Sequence, residues 1–417
     1  MNSKAVIAGV DVKHNQEDFL NSMRELGNLA AACNIDVVAE ITQKLHRINN
    51  SYYFGEGKIT ELRALVKETA ADLVIFEDEV SPSQIRNLEK ELDCEVMDRT
   101  MLILAIFSNR AKTRESQLQV EVARLKYMLP RLIGMRDDLG RQGGGAGLKN
   151  RGAGETKLEL DRRKIEERIT KLSKELEQLA TQRKTQRKQR GANDIPVVSL
   201  VGYTNAGKST IMNAMLEKYS NDTNKQVFEK NMLFATLGTS VRKIKLANNR
   251  TFLLTDTVGF IHKLPHHLIK AFRSTLEEVA EADLLVHVID ASNPLHEEQK
   301  NLTNKVLEEI GVHDIPIVYA YNKADLIKGD KPLINEPSVL LSAKKRSGID
   351  DLTEQISKYI FTDYIQCDLL IPFTDGVVVS YFNEHSQVLH TEFEAAGTRL
   401  KVNCKKADAE KYTKYCL

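Results

Sequence analysis

Gly202-Tyr203-Thr204-Asn205-Ala206-Gly207-Lys208-Ser209 reads as G-x-x-x-x-G-K-S. A β-branched apolar run, Ile195-Pro196-Val197-Val198-Ser199-Leu200, precedes it, and Ser209 to Leu216 continues as a helical pattern. A strand, a glycine loop and a helix in that order fold around phosphate. The loop's backbone N–H groups turn inward, and the helix N-terminus adds its positive dipole end. Gly202 to Ser209, with Thr210 in the first helical turn, therefore form the predicted phosphate cradle. Lys208 is expected to reach the β- and γ-phosphates, and Ser209 to offer its hydroxyl to Mg²⁺.

Three further motifs follow in sequence. Arg250 to Leu254 reads as a strand running into Asp256-Thr257-Val258-Gly259. An aspartate at a strand end can hold Mg²⁺ directly or through water, and a glycine lets the backbone approach the γ-phosphate. Ile315 to Tyr321 is another strand, ending in Asn322-Lys323-Ala324-Asp325. The Asp325 carboxylate can accept from both N1–H and the 2-amino group of guanine. Adenine offers neither donor and would leave a buried carboxylate unpaired. The Lys323 stem can lie along the base plane. Val339-Leu340-Leu341 runs into Ser342-Ala343-Lys344, which can close over guanine O6. Asn322, Lys323, Asp325, Ser342, Ala343 and Lys344 are thus the expected guanine site. All four motifs fall at carboxyl ends of strands, where open α/β sheets bind ligands.

Between the glycine loop and Asp256, the polar stretch Tyr219 to Lys230 lacks periodicity and is expected to order only around nucleotide. In Phe234-Ala235-Thr236-Leu237-Gly238-Thr239-Ser240, one threonine should complete the metal shell. Thr236 is the choice and Thr239 the alternate. Ser209, Thr236 and Asp256 form the predicted Mg²⁺ set, and Lys208, Thr236 and Gly259 the predicted catalytic set. Ras-like enzymes place a water-orienting glutamine after this glycine, whereas this chain has Phe260, which can neither donate nor accept a hydrogen bond. Intrinsic hydrolysis is expected to be slow, and a partner or cation must supply a factor that can reach about 10⁵. Asn205 resembles the loop asparagine of potassium-activated GTPases, which would let its side-chain carbonyl hold K⁺. The other reading is that it only shapes the loop.

At 417 residues the chain is long enough for three or four units. A net charge of +1 means that any nucleic-acid affinity must come from local patches. No stretch approaches the ~20 apolar residues of a bilayer span, and the N-terminus has too short an apolar core for a signal peptide. The five cysteines are scattered without C-x-x-C spacing, which suits a reducing cytosol. A cytoplasmic monomer is expected, with the membrane surface as one place of association.

Residues 1–112 alternate strand and helix and predict a parallel α/β subdomain. Within it, Tyr52-Tyr53-Phe54-Gly55-Glu56-Gly57-Lys58 carries two glycines and a lysine but no G-K-[ST], so a turn before a helix is the plainer reading. Residues 113–192 change character. Leu118, Val122, Leu125, Leu129 and Leu132 step by fours and threes, as do Ile165, Ile169, Leu172, Leu176 and Leu179, which predicts an antiparallel helical hairpin. Pro130 is expected to end or kink the first helix, and the second runs from about Thr156 to Arg190. The hairpin either projects as an arm or packs on the core. Its loop, 140–155, is glycine-rich.

From Leu139 to Arg190 there are 15 Lys/Arg against 7 Asp/Glu, and Gln182 to Arg190 holds five basic residues and no acid. A flexible basic loop on a basic arm suits insertion into folded RNA. The candidate contacts are Arg141, Lys149, Arg151, Arg183, Lys184, Arg187 and Lys188. The nucleotide-binding domain is expected at 193–365 and a small α+β domain at 366–417.

Several stretches together carry a family resemblance. They are Tyr52 to Lys58, Asp98-Arg99-Thr100 through Leu129-Pro130-Arg131-Leu132, Arg114-Glu115-Ser116-Gln117-Leu118-Gln119-Val120-Glu121, Gly143 to Glu155, Phe234 to Leu237, and Asp256 to Phe260. The chain resembles the HflX family of ribosome-associated GTPases, within the Obg-related group. The family's Asp-Pro-Thr switch reads Gly238-Thr239-Ser240 here, and its Gly-Pro-Gly-Glu loop reads Gly152-Ala153-Gly154-Glu155. The resemblance implies GTP and GDP as ligands, the large ribosomal subunit and its RNA as partner, and the hairpin loop near the peptidyl transferase centre. It further implies nucleotide-dependent splitting or rescue of stalled or idle ribosomes under stress, with hydrolysis stimulated by the ribosome. The motifs alone also fit a signalling switch whose arm binds a protein.

Overall fold

The computed structural model describes residues 3–12, 16–134, 151–191, 195–219, 240–263, 279–327 and 337–417. The chain divides into two compact units. One is Met1–Arg187 with Lys230–Gly238 and Ile261–Ser274; the other is Lys188–Glu229, Thr239–Phe260 and Thr275–Leu417.

The first unit opens with β1 (Ser3–Asp11), α1 (Gln16–Ala32), β2 (Ile35–Lys44), α2 (Glu56–Thr69), β3 (Leu73–Phe76), α3 (Pro82–Leu92), β4 (Glu95–Asp98) and α4 (Arg99–Arg110). The strands pair in parallel in the order β2-β1-β3-β4, because each connection carries the chain back through a helix. β3 is buried along its length, and β1 from Ala5 onward, as sheets flanked by helices require. Ser81 and Gln84 close a capping box on α3, with Pro82 in the first turn. Tyr53 and Phe54 are fully buried, and both rings meet Phe76. Lys58 Nζ lies 2.9 Å from Glu61. Tyr52 to Lys58 is therefore an aromatic plug leading into α2, as the turn reading had it.

α5 (Arg114–Gly134) and α6 (Arg151–Gly191) form the expected hairpin. Leu118, Val122 and Leu172 are buried together, with Leu125, Ile169, Leu176 and Leu179 packed on them. Arg114 bonds Glu175, and Glu121 lies opposite Arg168. Numbers rise on one helix as they fall on the other, so the pair is antiparallel. Two details differ from the sequence expectation. α6 begins at Arg151, taking Gly152 and Gly154 into the helix, and its 41 residues span ~60 Å. α5 also continues past Pro130 to Gly134, so of the two expected effects of the proline the helix end does not occur. The residue after the proline is clamped: Arg131 donates to Asp98 Oδ2 at 2.8 Å and to Val80 O at 3.1 Å. Tertiary contact outweighs the lost helix bond.

The second unit holds β5 (Val197–Gly202), α7 (Lys208–Tyr219), β6 (Ser240–Lys245), β7 (Thr251–Asp256), β8 (Leu284–Asp290), α8 (His296–Glu309), β9 (Ile317–Asn322), β10 (Ser338–Leu340) and α9 (Ile349–Ile360). Its sheet runs β10-β9-β8-β5-β7-β6, parallel except for β6. Val198, Leu200, Leu254, Val286 and Val318 pack with Ile211 and Met215 of α7 in one core. β11 (Tyr364–Ile371), α10 (Gly376–His385), β12 (Gln387–Glu394), β13 (Gly397–Lys405) and α11 (Lys406–Lys411) follow as an antiparallel sheet, β11-β13-β12, covered by helices. The P-loop α/β class, the parallel N-terminal sheet and the α+β tail are those expected.

Asp98 is fully buried and accepts four hydrogen bonds, from Val80 N, Met101 N, Tyr127 Oη and Arg131 Nη2. It thus caps α4 and anchors α5. Asp98→Ala would leave a buried guanidinium uncompensated and is expected to lower stability by about 3–5 kcal/mol. Tyr127→Phe removes one neutral donor and should lower it by only about 1–2 kcal/mol. Denaturant unfolding of the two variants measures the difference.

Candidate functional site

β5 ends at Gly202, whose φ is 141°; a Cβ there would stand 2.2 Å from the Val288 carbonyl oxygen. Glycine is what lets β5 turn so close to β8. The loop then runs to Gly207 (φ 101°), where a Cβ would meet Asn322 Nδ2 at 2.2 Å. Thr204 and Ala206 are buried, while Asn205 is exposed and left-handed at φ 59°. α7 starts at Lys208, with Ser209 and Thr210 half-buried in its first turn.

The Lys208 ammonium is buried and donates to Gly202 O at 3.0 Å and Tyr203 O at 2.9 Å. Burial pushes its pKa down to about 8, against the pull of Asp256. Two of its three donors are thus spent on the loop. Ser209 Oγ donates to Asp256 Oδ2 at 2.6 Å, with Asp256 fully buried at the end of β7. A hydroxyl and a carboxylate, held together at a strand end beside a helix start, are hard oxygen donors of the kind that suits Mg²⁺.

Gly259 lies against the loop. A Cβ there would be 2.8 Å from Thr204 Cα and 2.9 Å from Lys208 Nζ. The next residue is tied to the loop through its backbone. Phe260 N donates to Gly202 O at 3.1 Å, and Thr204 N donates to Phe260 O at 2.8 Å. The Phe260 ring is buried in the core at 2% exposure.

Asn322 and Lys323 sit where β9 ends, but their side chains serve the loops. Asn322 Nδ2 donates to Ala206 O at 2.9 Å, and its Oδ1 accepts from Ala343 N at 3.0 Å. It braces the glycine loop against the Ser342-Ala343-Lys344 turn. Lys323, left-handed at φ 62°, bonds Asp290 Oδ2 at 2.7 Å. Asp290 was missed from sequence. Its signal is an aspartate closing the apolar run of β8, as Asp256 closes β7. Asp325 is exposed. Its Oδ1 accepts from Ser342 Oγ at 2.5 Å, which holds the carboxyl below its ordinary range. Lys344 is exposed and Ala343 fully buried.

Thr236, Thr239, Arg141 and Lys149 lie outside the described residues. Arg151, Arg183, Lys184, Arg187 and Lys188 stand on α6, but their side chains lie outside the description. Among the described residues, no helix is long and apolar enough to cross a membrane.

Three family models match in succession: GTP-binding GTPase N-terminal over residues 20–108, GTP-binding GTPase Middle Region over 110–190, and 50S ribosome-binding GTPase over 197–323. The GTPase HflX of Caldanaerobacter subterraneus subsp. tengcongensis is 43% identical over 398 residues, covering 95% of this chain and 90% of that protein. The GTPase HflX of Escherichia coli strain K12 is 40% identical over 379 residues, covering 89% and 87%. Among solved structures, a GTP-binding protein of the archaeon Sulfolobus solfataricus in complex with GDP is similar at 26% identity and a TM-score of 0.46, covering 87% of this chain and 99% of that one. The chain belongs to the HflX family of GTPases, enzymes that hydrolyse GTP.

Proposed function

We propose that this GTPase binds the large ribosomal subunit in its GTP form and splits or rescues stalled or idle ribosomes. Hydrolysis, completed by ribosomal groups, then releases it. One observation carries the reading: a single chain joins nucleotide loops at strand ends to a long antiparallel helical pair whose sequence is strongly basic. The match of residues 197–323 to a 50S ribosome-binding GTPase model supports it. The excess of Lys and Arg between Leu139 and Arg190 favours RNA over a protein surface. Contacts by Arg141, Lys149, Arg151, Arg183, Lys184, Arg187 and Lys188 belong to this proposal, as does a cytoplasmic monomer working on ribosomes.

At the nucleotide, Gly202 to Thr210 cradle the phosphates, Lys208 brings its remaining donor to them, and Gly259 N–H meets the γ-phosphate. Ser209, Asp256 and Thr236 hold Mg²⁺, which neutralises charge on the β- and γ-phosphates when bound. Asp325 pairs with guanine; a base lying over this exposed carboxylate would bury it, so a base lacking the two donors would be penalised. Ser342, Ala343 and Lys344 line the O6 edge. Asn322 and Lys323 shape the pocket from behind, through Ala206, Ala343 and Asp290. With Phe260 buried, no side chain at that position orients water, so the intrinsic rate stays low. Asn205, exposed in the loop, is the place for K⁺.

Asp325→Asn is expected to weaken GTP binding by ~10²-fold or more, two charge-assisted bonds at about 1.5–3 kcal/mol each, and to erase the preference over ATP. Competition binding with both nucleotides decides this, and an unchanged preference would reject the guanine site. Hydrolysis should run faster in K⁺ than in Na⁺ and lose that difference in Asn205→Ala; equal wild-type rates in the two salts reject the K⁺ site. Sedimentation with ribosomes should show tighter large-subunit binding with GTP or a non-hydrolysable analogue than with GDP. That binding should fall steeply with salt, less so once Arg183, Lys184, Arg187 and Lys188 are neutralised. Indistinguishable GTP and GDP binding ends the ribosome reading, and salt-insensitive binding points to a protein partner for the arm.

A further inference from the structure

Thr204 sits in the phosphate loop at 6% exposure, and its buried Oγ1 meets no hydrogen-bond partner among the described residues. Proteins leave few buried polar groups unpaired, and such a group is costly until something pairs it. The neighbouring loop side chains are engaged. Lys208 Nζ donates to Gly202 O and Tyr203 O, and Ser209 Oγ donates to Asp256. The Thr204 backbone is fixed as well, since its N–H donates to Phe260 O at 2.8 Å. A β-branched side chain on a fixed backbone has little rotamer freedom. The hydroxyl is therefore held in place by the loop while left without a partner.

The surroundings of Thr204 say where along a nucleotide it stands. A Cβ built on Gly259 would lie 2.8 Å from Thr204 Cα, 2.9 Å from Thr204 Cγ2 and 2.9 Å from Lys208 Nζ. The face of Gly259, the Thr204 side chain and the Lys208 ammonium thus meet at one point, and all three residues lie in the second compact unit. In the reading above, Lys208 is the cation of the phosphates and Gly259 the amide of the γ-phosphate, so that point is the γ end of the nucleotide. It is also where this chain lacks a group. Phe260 stands in the place of a water-orienting glutamine, and its ring is buried at 2% exposure.

We propose that Thr204 is a catalytic residue of GTP hydrolysis: its hydroxyl donates to a γ-phosphate oxygen and accepts a hydrogen bond from the attacking water. A threonine hydroxyl has one donor and two acceptor lone pairs, so both bonds can form at once. The water oxygen bonds to the γ-phosphorus as the bond from that phosphorus to the bridging oxygen of the β-phosphate breaks. The electron pair of the broken bond stays with GDP. One water proton passes to a γ-phosphate oxygen, and the other stays on the oxygen that attacked. Thr204 keeps its own proton throughout and acts by orienting the nucleophile for in-line displacement. The inference rests on the reading that Gly202 to Thr210 cradle the phosphates. GDP has no γ-phosphate, so its affinity is indifferent to this hydroxyl.

The test uses the full-length protein. Thr204→Val keeps the branched shape and removes the hydroxyl. It should lower kcat for GTP at least about tenfold, since one preorganised hydrogen-bonding group can be worth about 10²–10³ in kcat. Affinity for a fluorescent GDP analogue should stay at the wild-type value. Unliganded stability in denaturant should not fall, because the hydroxyl makes no bond to the protein that could be lost. Thr204→Ser, which keeps the hydroxyl, should restore most of the rate. An unchanged or raised kcat in Thr204→Val overturns the proposal. So does a parallel loss of GDP affinity, or a Thr204→Ser protein as slow as the valine variant. Lys208→Ala separates the two layers. If it binds GTP as well as the wild type does, the phosphate cradle fails and the role of the threonine with it; if it loses GTP while Thr204→Val turns over normally, the role of the threonine alone fails.

Discussion

A buried ammonium whose close partners are two backbone carbonyls is a costly group to place in a protein core, and the site is organised around one. Lys208 is held at the throat of the loop by Gly202 O and Tyr203 O, and its burial depresses its pKa. Asp256 supplies the nearby negative charge that opposes this depression, while its carboxylate is tied to Ser209. The tight φ of Gly202, the close approach of Gly259 and the pairing of Phe260 with the loop all keep backbone packed around that lysine. An anionic ligand supplies the countercharge that two neutral carbonyls do not, which is why a phosphate loop is built this way.

The second feature is bracing. The Asn322 side chain joins the glycine loop to the Ser342 turn, and Asp290 pulls Lys323 back toward the end of β8. Loops from β5, β9 and β10 are thereby set against one another through buried or half-buried bonds, which lowers the reorganisation that binding would otherwise require. Ser342 holds Asp325 as an ionised acceptor at the open edge of this frame.

The first unit shows the same economy on a different scaffold. Asp98 and Arg99 are adjacent at the start of α4. Asp98 clamps Tyr127 and Arg131 of the hairpin, and Arg99 grips the carbonyl of His262. One helix terminus therefore fixes both the root of the helical hairpin and the segment that continues from the nucleotide motif.

Much of this was legible in the residues. The phosphate, aspartate and Asn-Lys-x-Asp motifs announced themselves because backbone geometry at a phosphate leaves few choices of side chain, and the strands showed as β-branched runs. The heptad stripes of α5 and α6 gave their pairing, since only one face of each is apolar. Other features were hidden because they depend on contacts far apart in the chain. Local rules stop a helix at Pro130 and start the next after the glycines, yet α5 runs on because Arg131 is clamped by Asp98, and α6 takes in Gly152 and Gly154. Asn322 was read only as part of the guanine site, and the bracing role of its amide, between Ala206 and Ala343 more than a hundred residues apart in the chain, was hidden. The sequence by itself determined the class of nucleotide and the order of the elements, because those are written in local spacing. Only the tertiary structure decided which polar groups hold the frame, because a side chain's partners are set by packing.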